Sequence, residues 1–359
     1  MDSQALKEFF LFLKKDNWQI FGPKNGQDFG DKILIEEIND LDDLYLGPQL
    51  PFYSFKRFFV PEKEMLFKYR REELKSPLRL PPLQKEGEKS PLTPPKRGEQ
   101  VAIFGMNLLD LKSVLLYDQV FEKDPYYQAR RQNMLIVGHS IIPDVSQNIF
   151  EQTFEEDVLE HLGFDVFLGT LGNNSPPPPL ILRGGENANE YAVFTGSQKG
   201  QKILEDFGYK DHIHIQFSGP VKEGKLDERM PKIRDKLKNH HNQKIWDELA
   251  RRCIECGKCT IACPTCFCFR IDDVPSLESK EGQRQRCWDS CYYQEFSEVS
   301  GSHKFLSDTA ARIHFWYYHK FARIPEEFNF IGCVGCRRCG AVCPVGIDIG
   351  EVLKEIENS

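Results

Sequence analysis

The chain has 359 residues, 40% hydrophobic and 28% charged, which is enough apolar material for a real core and too much for a disordered chain. Lys and Arg number 47 against 54 Asp and Glu, a formal net charge of −7, which argues against a general nucleic-acid binder. No apolar run approaches the roughly 18 residues needed to cross a bilayer.

Near the start, the apolar residues 9–13 lie between Glu8 and Lys14, too short a run for a signal peptide. Without an export signal the expected compartment is a reducing cytoplasm. There, cysteines act as metal ligands or redox groups rather than disulfides.

Residues 4–15 set Leu6, Phe9, Phe10 and Leu13 at helical spacing and predict an amphipathic helix. Ile33, Leu34 and Ile35 read as a short strand, and residues 52–70 are rich in Phe, Tyr and basic side chains. Residues 75–99 hold six prolines and six Lys or Arg, the composition of a mobile surface insertion or linker.

Strands and helices then alternate. Strands are predicted over 101–104, 134–137, 166–168 and 191–194, and helices over 108–121, 151–162 and 197–207, the last with Ser197 as N-cap. Residues 176–179 form a polyproline loop. No G-x-G-x-x-G or P-loop lysine follows any strand, so there is no nucleotide fingerprint. His212 and His214 share a strand face, but with no third ligand evident a satisfied or exposed pair is expected.

Residues 240–252 read as a helix leading into Cys253, and residues 350–357 as a closing helix. The stretch 307–321 predicts a core helix with Ile313, Trp316, Tyr317 and Phe321 on its apolar face, rather than an electron-carrying aromatic stack. The expected class is α+β, an N-terminal α/β-type domain followed by a helical dicluster ferredoxin domain. Its divisions are an α/β segment at 1–74, the insertion at 75–99, the α/β domain proper at 100–238 and the cysteine-bearing domain at 239–359.

All twelve cysteines lie after residue 252. Eight fall into two runs, Cys253, Cys256, Cys259 and Cys263 before Pro264, and Cys333, Cys336, Cys339 and Cys343 before Pro344. Both obey C-x2-C-x2-C-x3-C-P, the bacterial ferredoxin spacing for [4Fe–4S] clusters. Two intervening residues let a tight loop aim successive thiolates at different irons, and glycines such as Gly257, Gly335 and Gly340 permit the backbone to come close. In two-cluster proteins the fourth cysteine of each run serves the other cluster. Cys253, Cys256, Cys259 and Cys343 are therefore assigned to one cluster, and Cys333, Cys336, Cys339 and Cys263 to the second. Two zinc sites are the alternative, but zinc usually takes paired C-x2-C knuckles.

Cys266, Cys268, Cys287 and Cys291 remain. With or without Asp289 they are either a third cluster or buried small apolar side chains. Arg284, Arg286, Arg312, His319 and Lys320 either offset the charge of the clusters or line a docking surface.

The run 263–268, then Trp288-Asp289-Ser290-Cys291, His319-Lys320-Phe321, Cys333-Val-Gly-Cys336 and the run 343–348 resemble the dicluster ferredoxin-type subunit family. This family includes the beta subunit of cytoplasmic sulfhydrogenases and the corresponding iron–sulfur subunit of anaerobic sulfite reductase. Weaker marks lie at residues 58–61, 118–127 and 196–200, so the resemblance spans most of the chain outside 75–99. Several members carry further cysteines near the positions of residues 106–110 and 138–148, where this chain has none.

The resemblance implies an electron-transfer subunit of a cytoplasmic complex. It relays electrons between a flavin-bearing, NAD(P)H-linked subunit and a catalytic subunit, either a nickel–iron hydrogenase or a sirohaem sulfite reductase. Two other readings stand beside it. The leftover thiols at an exposed 264–268 loop would reduce polysulfide at a third cluster, or the clusters would serve only as structural staples.

Overall fold

The computed structural model describes residues 1–26, 32–70, 99–141, 150, 158–170, 190–220, 227–239, 243–276 and 279–359. The insertion expected at 75–99 (Glu99 apart), the polyproline loop at 176–179 and the first part of the helix expected over 151–162 lie outside the described residues.

The N-terminal half contributes β1 (Gln19–Gly26), β2 (Lys32–Glu37), β3 (Lys63–Arg70), β4 (Val101–Met106), β5 (Met134–His139), β6 (Val166–Thr170), β7 (Tyr191–Thr195) and β8 (Ile213–His214). All but β3 join one sheet in the order β2-β1-β4-β5-β6-β7-β8. Strands β1, β4, β5 and β6 run parallel, while β2 and β7 are antiparallel to their neighbours β1 and β6. Every residue of β4 and β5 is buried, as befits near-continuous apolar runs covered on both faces.

The helices Ser3–Lys15 and Gln198–Phe207 cover one face, packing Phe9, Phe10, Leu13 and Leu204 against Phe104, Leu135 and Val137. Ser197 caps the second of these helices, its Oγ accepting from Gly200 N at 3.0 Å. On the other face the helix Leu108–Val120 sets Leu111, Val114 and Tyr117 against Ile103, Ile136 and Phe167. Its far side carries Leu109 and Leu116 into a second apolar group with Ile324, Phe330, Val334 and Cys336. One helix is thus wedged between the sheet and the cysteine-bearing half, which explains why its residues 108–117 are buried all round.

The α+β class holds, and the second half adds a sheet to the expected helices. β9 (Phe269–Pro275) and β10 (Glu281–Trp288) pair antiparallel, and β3 joins from the N-terminal segment in the order β3-β10-β9. The strand β10 is too polar for a strand pattern to show, and its partner β3 is remote in sequence, with Cys287 opposite Lys63. Arg286 is buried there because Glu64 and Asp124 both pair with it.

The helix expected over 307–321 runs Thr309–Tyr318, widens into a π turn over His319–Arg323, and continues as Ile324–Phe328. Trp316, Tyr317 and Phe321 lie in the core, as expected. The described end of the 151–162 stretch is a single 3₁₀ turn, Val158–His161. Among the described residues no helix is long and apolar enough to cross a membrane.

Candidate metal centre

The helix Gln243–Arg252 delivers the first cysteine, with Cys253 N bonding Leu249 O at 2.9 Å. Beyond it Glu255 and Gly257 turn left-handed, at φ 57° and 69°, before the short helix Lys258–Ala262 that carries Cys259. The second run repeats the path. Gly335 and Arg337, at φ 77° and 55°, precede the short helix Arg338–Ala341 with Cys339.

In both loops the N–H two residues after the first cysteine donates to its sulfur. Glu255 N reaches Cys253 Sγ and Gly335 N reaches Cys333 Sγ, each at 3.4 Å. Ile347 N donates to Cys343 Sγ at 3.3 Å. Backbone N–H groups turned toward sulfur stabilise a thiolate and help to set a cluster's potential. Arg312, Thr309 and Gln294 all bond the Glu255 carboxylate and so hold its unfavourable backbone. At Gly257 a side chain would lie 2.7 Å from the Tyr293 ring.

The two runs interleave. Cys253 is flanked by the thiols of Cys256 and Cys343, and Cys259 by those of Cys253, Cys256, Cys263 and Cys343. Cys333 and Cys336 both stand beside Cys263, and Cys339 beside Cys263, Cys333 and Cys336. Cys343 is thus coupled to the first run, and Cys263 to both runs. Cys259, Cys263 and Cys339 mark the place where the two sets meet.

Burial pushes the thiols of Cys259 and Cys333 each up to about 12, and raises those of Cys253, Cys336 and Cys339. Neighbouring thiols add to the effect at Cys259 and Cys339. Such crowded thiols cannot all ionise in a low dielectric unless a cationic core draws the protons off. Among the described residues no three of His, Cys, Asp or Glu gather as ligands of one ion. A cubane asks instead for one thiolate per iron, and the donor set fits it. A cavity lined by Cys253, Cys256, Cys259, Cys343 and the aromatic rings of Tyr292, Trp316 and Tyr317 opens beside the first set.

Of the remaining four cysteines, Cys266, Cys268 and Cys291 lie together and Cys287 stands apart. Cys266 hydrogen-bonds Cys263, which holds the Cys263 thiol well below its ordinary value despite burial, with Lys320 helping. Cys291 does the same for Cys268. Cys287 is instead raised by burial and by a hydrogen bond with Asp272, and it faces Arg270 and Lys63. Asp289 turns its carboxylate to Ser290 N at 2.8 Å. Of the residues expected to form a third site, Cys266, Cys268, Cys287, Cys291 and Asp289, the structure groups Cys266, Cys268 and Cys291, while Cys287 sits on strand β10 beside the acidic strand β9. The 264–268 loop expected to be exposed has Pro264, Thr265 and Cys266 buried.

Of the basic residues singled out in the sequence, only Lys320 has a hydrogen bond to a cysteine among those described, donating to Cys263 Sγ at 3.3 Å. Arg284 pairs with Asp273, Arg286 with Glu64 and Asp124, and Arg312 with Glu255. His319 stacks on Phe315. His212 and His214 gather no third ligand among the described residues. Sequence reasoning missed Arg338, which lies against Cys336, and Lys56, which reaches Thr260 O at 3.0 Å and packs over Trp288. The one signal in the sequence was a basic residue inside the tight Cys336–Cys339 spacing.

Residues 252–347 match the family model described as a 4Fe-4S dicluster domain. A dicluster domain implies two [4Fe–4S] clusters, which the two cysteine runs would hold. The chain is 28% identical to sulfhydrogenase 2 subunit beta of Pyrococcus furiosus over 362 residues, covering 99% of this chain and 97% of that relative. Both findings support the dicluster ferredoxin-type family whose motifs the sequence carries. No solved structure matches.

Proposed function

We propose that the chain is the electron-relaying subunit of an oxidoreductase complex. It stands between an NAD(P)H-linked flavoprotein subunit and a catalytic subunit of the hydrogenase or sulfite reductase kind. The observation that supports this reading is the nearness of the two cysteine sets through Cys259, Cys263 and Cys339, which would bring two bound clusters close together. When bound, the clusters supply one-electron chemistry. We assign Cys253, Cys256, Cys259 and Cys343 to one and Cys263, Cys333, Cys336 and Cys339 to the other.

The protein's part is to hold the thiolates, aim N–H groups at their sulfurs and keep water from the second set. Ile254, 62% exposed beside Cys253 and Cys256, puts the first set near the surface where a partner docks. The relative's name, a subunit of a sulfhydrogenase, accords with such an assembly. Polysulfide reduction at a 264–268 loop finds less support, since Cys266 is 8% exposed and already bonded to Cys263.

The test is affinity purification of the chain from its native cells under anaerobic conditions. A flavoprotein and a hydrogenase or sulfite reductase should copurify, and NAD(P)H should bleach the iron–sulfur absorbance at about 400 nm. In a Cys343→Ser complex, electron flow from NAD(P)H to the catalytic subunit should fall while each partner's own partial reaction persists. Unchanged flow would refute the relay.

A further inference from the structure

The two cysteine loops share a backbone path but not their surroundings. Around Cys253, Cys256, Cys259 and Cys343 the cavity walls are chiefly aromatic and aliphatic, Lys258 at their edge is exposed to solvent, and the nearby Glu255 is matched by Arg312. Around Cys263, Cys333, Cys336 and Cys339 stand the buried cations Lys320 at 2% and Arg338 at 4% exposure, with Lys56, also buried, on the Cys263 side.

Lys320 sits in the π turn that interrupts its helix, a feature that often marks functional positions. Its ammonium has three protons and three acceptors, Gly332 O at 2.7 Å, Thr265 Oγ1 at 2.9 Å and Cys263 Sγ at 3.3 Å. None of these acceptors is a carboxylate. The turn is held in place by Gly332, whose N–H bonds Lys320 O at 2.9 Å and where a side chain would meet the Lys320 backbone at 2.9 Å. A buried ammonium without a carboxylate needs an anion, and the nearest is the thiolate of Cys263.

Reduction adds one negative charge to a cluster. A fixed cation on a ligand sulfur stabilises that charge, more so in a low dielectric. Taking the assignment of cysteines above as its basis, we infer that Lys320 is a positioning residue that acts through Cys263 to raise the reduction potential of one cluster only. That cluster is the one held by Cys263, Cys333, Cys336 and Cys339. Arg338, against Cys336, adds to the same bias, and its partner Asp110 tempers it. The electron pair of the complex is thus divided unequally between two cradles that look equivalent in sequence.

The experiment is an EPR-monitored redox titration of the anaerobically purified full chain. The two signals are assigned with Cys343→Ser and Cys333→Ser variants, each expected to lack one cluster. Lys320→Gln should lower the potential of the second cluster alone. Its reduced-to-oxidised ratio at fixed ambient potential should fall by about tenfold, or about 59 mV for one electron. Lys320→Arg should restore most of that shift.

Asp110→Asn gives an independent test of opposite sign. It strips the counter-charge from Arg338 without touching Lys320, and should raise the same potential; Lys320→Met reads Lys320 itself if Lys320→Gln fails to assemble. Equal shifts of both clusters, no shift, or a fall with Asp110→Asn would overturn the inference. If the unaltered chain shows neither signal, the cluster assignment fails first. Two signals that the variants leave in place overturn only the role of Lys320.

Discussion

Asp110 and Arg338, 228 positions apart, are joined by two hydrogen bonds of 2.6 and 2.8 Å in a fully buried, bidentate pair. Asp110 belongs to the helix wedged under the sheet, and Arg338 opens the short helix that carries Cys339. Arg338 also donates to Pro51 O at 2.9 Å, and Asn107 Nδ2 bonds the second Asp110 oxygen at 2.8 Å. The pair therefore fixes the second cysteine loop to the N-terminal sheet. Arg338→Met should leave Asp110 buried and unpaired, lowering stability by about 3–5 kcal/mol. Chemical denaturation of the anaerobic protein measures this, and a loss below about 1 kcal/mol would show the pair to be dispensable.

Cross-ligation predicts a specific non-additivity. Cys253→Ser and Cys343→Ser remove ligands that lie far apart in sequence but belong to one set, so either should abolish the same cluster. Iron content should fall by about half in each single variant and no further in the double variant. Additive loss in the double variant would place the two cysteines in different clusters.

Cys287 lies with Asp272 and Arg270, away from the other thiols. Cys287→Ser should leave iron content and the EPR spectrum unchanged. Cys266→Ala should weaken the second cluster, because it removes the hydrogen bond that Cys263 receives. A drop in iron with Cys287→Ser would restore a role for that residue as a ligand.

His139, at the end of β5, is 3% exposed, and burial lowers its pKa to about 4 from an ordinary 6.5. The unfolded chain binds this proton more readily than the folded one. Stability is therefore fully present above pH 6.5 and is lost as pH falls toward 4, by at most about 3 kcal/mol. His139→Asn, which keeps an acceptor for the Ile141 N–H, should flatten the urea-midpoint decline between these limits. Parallel profiles for the variant and the unaltered chain would mean that His139 does not titrate on unfolding.

The features legible in the sequence are those with local signatures. The two cysteine runs follow from loop spacing. Strands β4 and β5 show as unbroken apolar runs because both their faces are covered. What stayed hidden depends on distant partners. The strand β10 reads as polar, and only Glu64 and Asp124 from elsewhere in the chain make the burial of Arg286 tolerable. Cys287 is parted from Cys266, Cys268 and Cys291 by its place on β10 beside β9, and spacing carries no record of that. Asp110 reads as an ordinary first-turn acid, and only the fold brings it under Arg338.

The central claim is that two cubane clusters sit close together in this one chain. The direct measurement is EPR of the dithionite-reduced, anaerobically purified protein, with metal analysis of the same sample. The account predicts about eight iron atoms per chain and a spectrum broadened by magnetic coupling between two neighbouring reduced clusters. A silent spectrum with about two zinc ions per chain would contradict it.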